Sequence, residues 1–145
     1  MLDRSIAAGH FIVPTAAYRD EGTSYHYAPA SDYIDIPTAA ELSAAFDAIS
    51  MPHVQGKTWT TDAIYRETRD GLAKRRAEGC ITVEMECASL MAVGQFRKKA
   101  VYQFLYAEDC LDSVEWDPRI MGKQPATAYE GYLDVALECA IRVKG

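Results

Sequence analysis

An α/β domain, with a mixed central sheet flanked by helices, is the fold class this 145-residue sequence predicts. Three observations carry that expectation. Short apolar runs alternate with segments of helical periodicity, the pattern of strand–helix–strand units. The run Cys80-Ile-Thr-Val-Glu84 passes without a linker into a helical stretch over 86–96. No internal repeat, low-complexity tract or composition break divides the chain, so residues 1–145 are expected to form a single domain.

The elements follow in order. Phe11 to Tyr18 is strand-like, and Pro14 argues for an edge or irregular position in the sheet. Arg19 to Ser24 is a turn, and Tyr25 to Ile36 an aromatic-rich loop. Thr38-Ala-Ala-Glu41 has capping-box spacing, and the helix behind it turns Leu42, Ala45, Phe46 and Ile49 to one face. His53 to Thr61 is a second strand, ending at Asp62. Arg69 to Glu78 is a basic helix stopped by Gly79. Strands over 80–84 and 100–107 bracket the 86–96 helix. A terminal helix over about 125–143 begins near Pro125 and offers Tyr129, Leu133, Ala136, Leu137 and Ala140 as its apolar stripe.

Composition narrows the function classes. The apolar share of 49% and charged share of 25% are those of a globular protein. A net charge of −6 tells against an electrostatic hold on nucleic acid or an anionic membrane. No apolar run is long enough to span a bilayer, and the first residues lack a secretory pattern. Cys80, Cys87, Cys110 and Cys139 show neither Cys-x-x-Cys spacing nor a histidine at ligand distance, so they read as buried free thiols, with no metal site. The expectation is a soluble, cytoplasmic protein.

Three groups of residues could carry chemistry. Glu84 and Glu86 flank Met85 where a buried strand meets a helix. A carboxylate there either stabilises the first helical turn or accepts hydrogen bonds from a vicinal diol such as a ribose, with Met85 as a soft apolar wall. Asp109 ends the apolar run from Val101 to Ala107 beside Glu108. It is either a solvated loop acid or, with burial and like-charge repulsion, a general acid. The cluster Arg66, Arg69, Lys74, Arg75 and Arg76 reads first as a solvated helix face, because Glu67, Asp70 and Glu78 are interspersed with it. No Gly-rich phosphate loop occurs, and no serine–histidine arrangement stands out.

These blocks resemble one family. Val83-Glu-Met-Glu-Cys-Ala-Ser-Leu90 is similar to the V-E-M-E-small-A signature of the nucleoside phosphorylase and uridine phosphorylase superfamily. Thr15 to Ser24 resembles its strand and R-D-G-T-S turn, His53 to Tyr65 its H-V-G and S-D-x-F-Y block, and Tyr106 to Asp109 its later V-S-D strand end. The resemblance implies a phosphorylase-like fold lacking its N-terminal part, since the chain corresponds to the second half of the longer family sequences. It implies that Met85 and Glu86 contact the ribose with Glu84 beside them, and that Ile64 and Tyr65 lie by the base. Asp109 would protonate a departing purine. Ile64 stands where the family often has an aromatic, and Glu108 where it has a serine; the arginine that assists the acid in purine enzymes has no aligned match, with Arg119, displaced, and Lys123 as candidates.

The activity implied is phosphorolysis of purine nucleosides, with phosphate as co-substrate and no cofactor. The alternatives are a nucleosidase using water and a catalytically inactive nucleoside-binding module. Incomplete coverage of the sheet predicts a homo-oligomer or a partner chain.

Overall fold

The computed structural model describes residues 1–143. Among them, strands β1 (Phe11–Asp20), β2 (Tyr33–Asp35), β3 (His53–Thr61), β4 (Cys80–Glu84) and β5 (Leu105–Tyr106) form one mixed sheet. Helices α1 (Ala39–Ala48), α2 (Arg69–Ala77), α3 (Cys87–Arg97) and α4 (Ala126–Ala140) cover its faces. The parallel part runs β1-β3-β4. On the far side of β1, β2 pairs antiparallel with residues 16–18 and β5 with residues 11–12. β1 is therefore central, not an edge. Pro14 is accommodated at an irregularity, where β1 carries one residue more than β3 between Pro14 and Ala17.

Alternation along β1 sends its apolar residues to two cores. Phe11, Val13 and Ala17 face Leu42, Ala45 and Phe46 of α1, Ala88 and Met91 of α3, and Val135 of α4. The Phe11 ring meets Phe46 and Phe104 edge-on, each at 5.4 Å. Ile12 faces the other way, toward Met1, Ile6 and Ala107, while Trp59 and Cys80 pack with Leu2 and Leu72 of α2. All four cysteines are buried and free.

Several local expectations are corrected. The 25–36 loop contains β2, preceded by a short 3₁₀ turn over Thr23–His26. The capping box at Thr38 does not form: Thr38 Oγ1 donates instead to the Val101 carbonyl at 2.5 Å, and Glu41 accepts from the Tyr102 hydroxyl at 2.6 Å. These contacts also explain why only Leu105–Tyr106 of the expected 100–107 strand joins the sheet. Residues 101–104 are drawn onto α1 by Thr38, Glu41 and the Phe46–Phe104 ring contact.

The face of α4 differs as well. Val135 and Cys139 turn inward, while Tyr129, Leu133 and Leu137 are exposed. The helix is clamped by Tyr132, which stacks on Tyr106 at 3.9 Å and meets Phe11 edge-on, and that contact fixes its rotation.

The basic helix α2 is capped as its sequence allows, with Thr68 Oγ1 accepting from Gly71 N at 3.3 Å, and Gly79 follows at φ +91°. Its arginines do not form one solvated face. Arg75 is buried, with its guanidinium 3.5 Å from the Tyr18 ring centroid.

β3 and β4 approach closely because Gly56 has no side chain. A Cβ there would lie 2.5 Å from Ile81 Cδ1 and 2.7 Å from Cγ1. Gly56→Ala is expected to cost about 1–3 kcal/mol through overpacking. In the background of Ile81→Ala the added methyl should cost much less. A urea-unfolding double-mutant cycle measures this coupling, and additive effects would refute the proposed contact.

Candidate functional site

The carboxyl ends of the parallel strands emerge together, because the register aligns Arg19 of β1 with Thr60 of β3 and Thr60 with Glu84 of β4. Three connections leave from this edge: Asp20 to Ser24, Asp62 to Thr68, and Met85–Glu86. In open α/β sheets such an edge is where ligands are held, since helix N-termini and loop side chains converge there.

The β4–α3 turn is fixed by one carboxylate. Glu84 Oε2 accepts from the backbone N–H of Glu86 at 2.8 Å and of Cys87 at 2.6 Å. Its Oε1 accepts from Thr58 Oγ1 at 3.3 Å and from Thr60 Oγ1. Thr60 Oγ1 in turn accepts from Ala88 N at 3.0 Å. Three N–H groups that a helix start leaves unpaired are thus satisfied by β3 and β4. Burial pushes the Glu84 carboxyl above its ordinary value, with the charge on Glu86 adding to it; the Thr60 hydroxyl and the two N–H groups only partly offset that rise. Glu84 is consumed by this role. Met85 and Glu86 are exposed beyond it, and the Glu86 side chain makes no hydrogen bond or ion pair among the described residues.

A second anchored acid lies in the β1 turn. Buried Glu21 accepts from Ser24 N at 3.0 Å and from Ser89 Oγ of α3 at 2.8 Å. Burial works to raise its carboxyl, but the donors at Ser24, Ser89 and Thr23 together hold it below the ordinary range. Buried Arg19 donates from Nε to Ser24 Oγ at 2.8 Å and from Nη1 to the Pro29 carbonyl at 2.6 Å. Trp59 Nε1 donates to Asp20 at 2.9 Å, and Gly22 N to Asp62 at 3.2 Å, which ties the β1 and β3 connections together.

The remaining residues expected at a site are placed as follows. Ile64, 53% exposed, and Tyr65, 98% exposed, stand on the β3–α2 connection at the same edge as Met85 and Glu86. Asp109 does not touch them. Its Oδ1 lies 3.3 Å from the Met1 amino group, and its Oδ2 accepts from Trp116 Nε1 at 2.8 Å. Met1–Leu2 lies between Asp109 and β4, with Leu2 N donating to the Ile81 carbonyl at 2.9 Å and Leu111 N to the Met1 carbonyl at 2.8 Å. Two chain spacings, about 10 Å, therefore separate Asp109 from β4. Arg119 and Lys123 do not assist Asp109: Arg119 donates to the carbonyls of Ile6 and Arg4, and Lys123 to that of Arg119.

Three features of the structure carry no signal in the sequence. Glu67, at the α2 entry, has a carboxyl raised by burial and by the nearby charge of Asp109, with the Met1 amino group opposing. Its spacing from Asp109 gave no signal, since 42 residues separate them in the chain. Glu21 was hidden in a turn that reads as solvated. Ser43 and His53 also meet, Oγ to Nε2, but at the start of β3 beside Phe46, at the opposite end of the strand from Thr60. No group of histidine, cysteine and carboxylate side chains among the described residues could hold a metal ion. No described helix is long and apolar enough to cross a membrane.

The structure is thus a mixed α/β domain with carboxylates at the ends of its parallel strands. The chain belongs to the phosphorylase superfamily, whose profile matches residues 1–127. Among solved structures it is similar to AMP nucleosidase from Bacteroides thetaiotaomicron (24% identity, TM-score 0.68), covering 95% of this chain and 54% of that one. It is also similar to the P knowlesi homolog of P falciparum PNP (19%, TM-score 0.72; 97% and 57% covered). A third is purine nucleoside phosphorylase from Toxoplasma gondii in complex with immucillin-H (18%, TM-score 0.75; 96% and 58% covered). The chain spans little more than half the length of these structures.

Replacing Glu84 by glutamine removes acceptor capacity facing the helix or the threonines, and is expected to destabilise by about 1–3 kcal/mol. Because the native carboxyl is raised above its ordinary 4.5, the unfolded chain releases that proton first as pH rises. Stability from neutral Glu84 is thus present below 4.5 and lost as pH rises through the native value. The advantage of wild type over Glu84→Gln should shrink as pH rises above 4.5 and through the raised native value. Urea midpoints across that range measure it, and a widening gap would reverse the assignment.

Proposed function

We propose that this chain carries the sugar- and base-handling part of a purine nucleoside phosphorylase. The observation that supports this reading is the β4–α3 turn. Glu84 fixes the backbone, and so Met85 and the unpaired Glu86 carboxylate project from the ligand-binding edge of the sheet. A free carboxylate there can accept both hydroxyls of a vicinal diol, with the Met85 thioether against the sugar ring. Ile64 and Tyr65 offer apolar contact for a base on the adjoining connection.

In this reading a phosphate oxygen attacks the anomeric carbon, the glycosidic C–N bond breaks, and its electron pair passes to the base. A carboxylic acid then delivers a proton to the departing purine. Asp109 is assigned to that proton transfer, with Glu67 near it, its carboxyl raised by burial and by the Asp109 charge. General acid catalysis of this kind contributes about 10²–10⁴-fold. No cofactor enters the reaction; phosphate is the co-substrate.

Purified protein mixed with inosine, adenosine or uridine, with and without phosphate, should release base from the purine nucleosides in a phosphate-dependent way. Hydrogen bonds to a charged group contribute about 1.5–3 kcal/mol each, so losing two in Glu86→Ala should lower kcat/KM by about 10²–10⁴-fold. Release without phosphate would reassign the chain as a nucleosidase. Release undiminished in Glu86→Ala would remove Glu86 from the site.

Self-association belongs to the same proposal. Tyr129, Leu133, Leu137 and Ile141, spaced by four residues, leave an apolar stripe exposed along α4. A second copy covering this stripe accounts for it. Leu133→Glu with Leu137→Glu should shift sedimentation equilibrium toward monomer, and an unchanged distribution would place the contact elsewhere.

A further inference from the structure

A groove of about 560 Å³ runs between α2 and residues 111–116, and it shares no lining residue with the β4–α3 turn. That volume is within the range of small-molecule sites, about 300–1,000 Å³. Leu72 and Leu111 supply its apolar surface over the buried Leu2, and Arg4, Arg69 and Arg76 its cations. The chain carries a net charge of −6, yet the groove has three arginines against the two carboxylates Asp112 and Glu115. Asp109, bonded to Trp116, brings the acids at the groove to three, so an anion is drawn by the guanidinium groups left unpaired rather than by net charge.

The three guanidinium groups are not equally spent. Arg76 is paired with Asp112. Arg69 gives one N–H, from Nη2, to the Val114 carbonyl at 3.2 Å and keeps the rest of its fork open. The Arg4 guanidinium makes no hydrogen bond or ion pair among the described residues. Trp116 adds a flat ring, 57% exposed, whose orientation is held by its N–H bond to Asp109. Open guanidinium forks match the oxygens of a phosphate, and an exposed indole beside leucines matches a planar ring.

We propose that this groove is a second ligand site, for a phosphomonoester attached to a planar ring, the chemistry of a nucleoside monophosphate. Arg4 and Arg69 hold the phosphate, and Trp116 with Leu72 receives the ring. The groove borders Asp109 through Trp116 but shares no lining residue with the Met85–Glu86 edge, so binding here does not depend on the diol-binding carboxylate.

Tryptophan fluorescence reads the groove through exposed Trp116, whose signal must be told apart from that of Trp59, packed behind the groove against Leu2 and Leu72. The full chain is titrated with adenosine monophosphate, adenosine and inorganic phosphate, with Trp116→Phe identifying the reporter. Adenosine monophosphate should change the signal and bind at least about tenfold more weakly to Arg4→Ala/Arg69→Ala, since each lost charged contact contributes about 1.5–3 kcal/mol. Glu86→Ala should leave this affinity unchanged. Should the double variant melt early, Arg4→Ala alone gives the reading, because its guanidinium supports no fold contact. Adenosine binding as tightly as its monophosphate would overturn the phosphate assignment, and inorganic phosphate matching it would overturn the ring assignment. Unaltered affinity in the arginine variants, or affinity lost in Glu86→Ala, would overturn the site itself.

Discussion

The Glu84 carboxylate, set between two threonine hydroxyls of β3 and two N–H groups of α3, is the constraint on which the rest of this domain's architecture depends. A helix start buried against a sheet needs partners for its free N–H groups. Here they come from strands that are themselves held in register by the Gly56–Ile81 approach. The consequence is that β4 can pass into α3 with only Met85 and Glu86 between them. Any longer connection would let those two side chains wander; the tight one presents them outward in a fixed place.

Buried Glu21 repeats the device on β1, and the Ser89 hydroxyl carries it to α3. Together with the Asp20–Trp59 and Asp62–Gly22 bonds, it makes the three connections at the sheet edge one linked polar layer. The two anchoring acids differ in electrostatic balance. At Glu84 the cost of burial exceeds what its donors return, whereas at Glu21 the donors prevail. Neither acid has oxygens free for a ligand, so the exposed Glu86 is the carboxylate with capacity to spare. Asp109 and Glu67 form a different pairing, on the α2 side of the molecule, coupled by charge.

Much of the fold could be read from residue order. The strand-to-helix passage at 80–97, the capped basic helix α2 with its glycine stop, and the apolar face of α1 follow from periodicity, caps and short connections, which are local. Helix boundaries were accurate to within a few residues for the same reason. The errors share a different cause. Pro14 does sit at an irregular position, as its ring requires, but the central place of β1 depends on the strands that come to both its sides. Residues 101–104 left the sheet because Thr38 and Glu41, distant in sequence, compete for them.

The sequence by itself determined the α/β class, the placement of Glu84, Met85 and Glu86 where a strand becomes a helix, and a likeness to the phosphorylases that the superfamily match bears out. Tertiary structure alone decided which of the two glutamates is structural and which is free. It also decided that α4 turns Leu133 and Leu137 outward, and that Arg75 is buried while Arg69 lines a groove. The physical reason is common to all three. Spacing along a chain fixes which face a residue occupies, but only the groups brought up from elsewhere fix whether that face meets water, a ring or a hydrogen-bond donor.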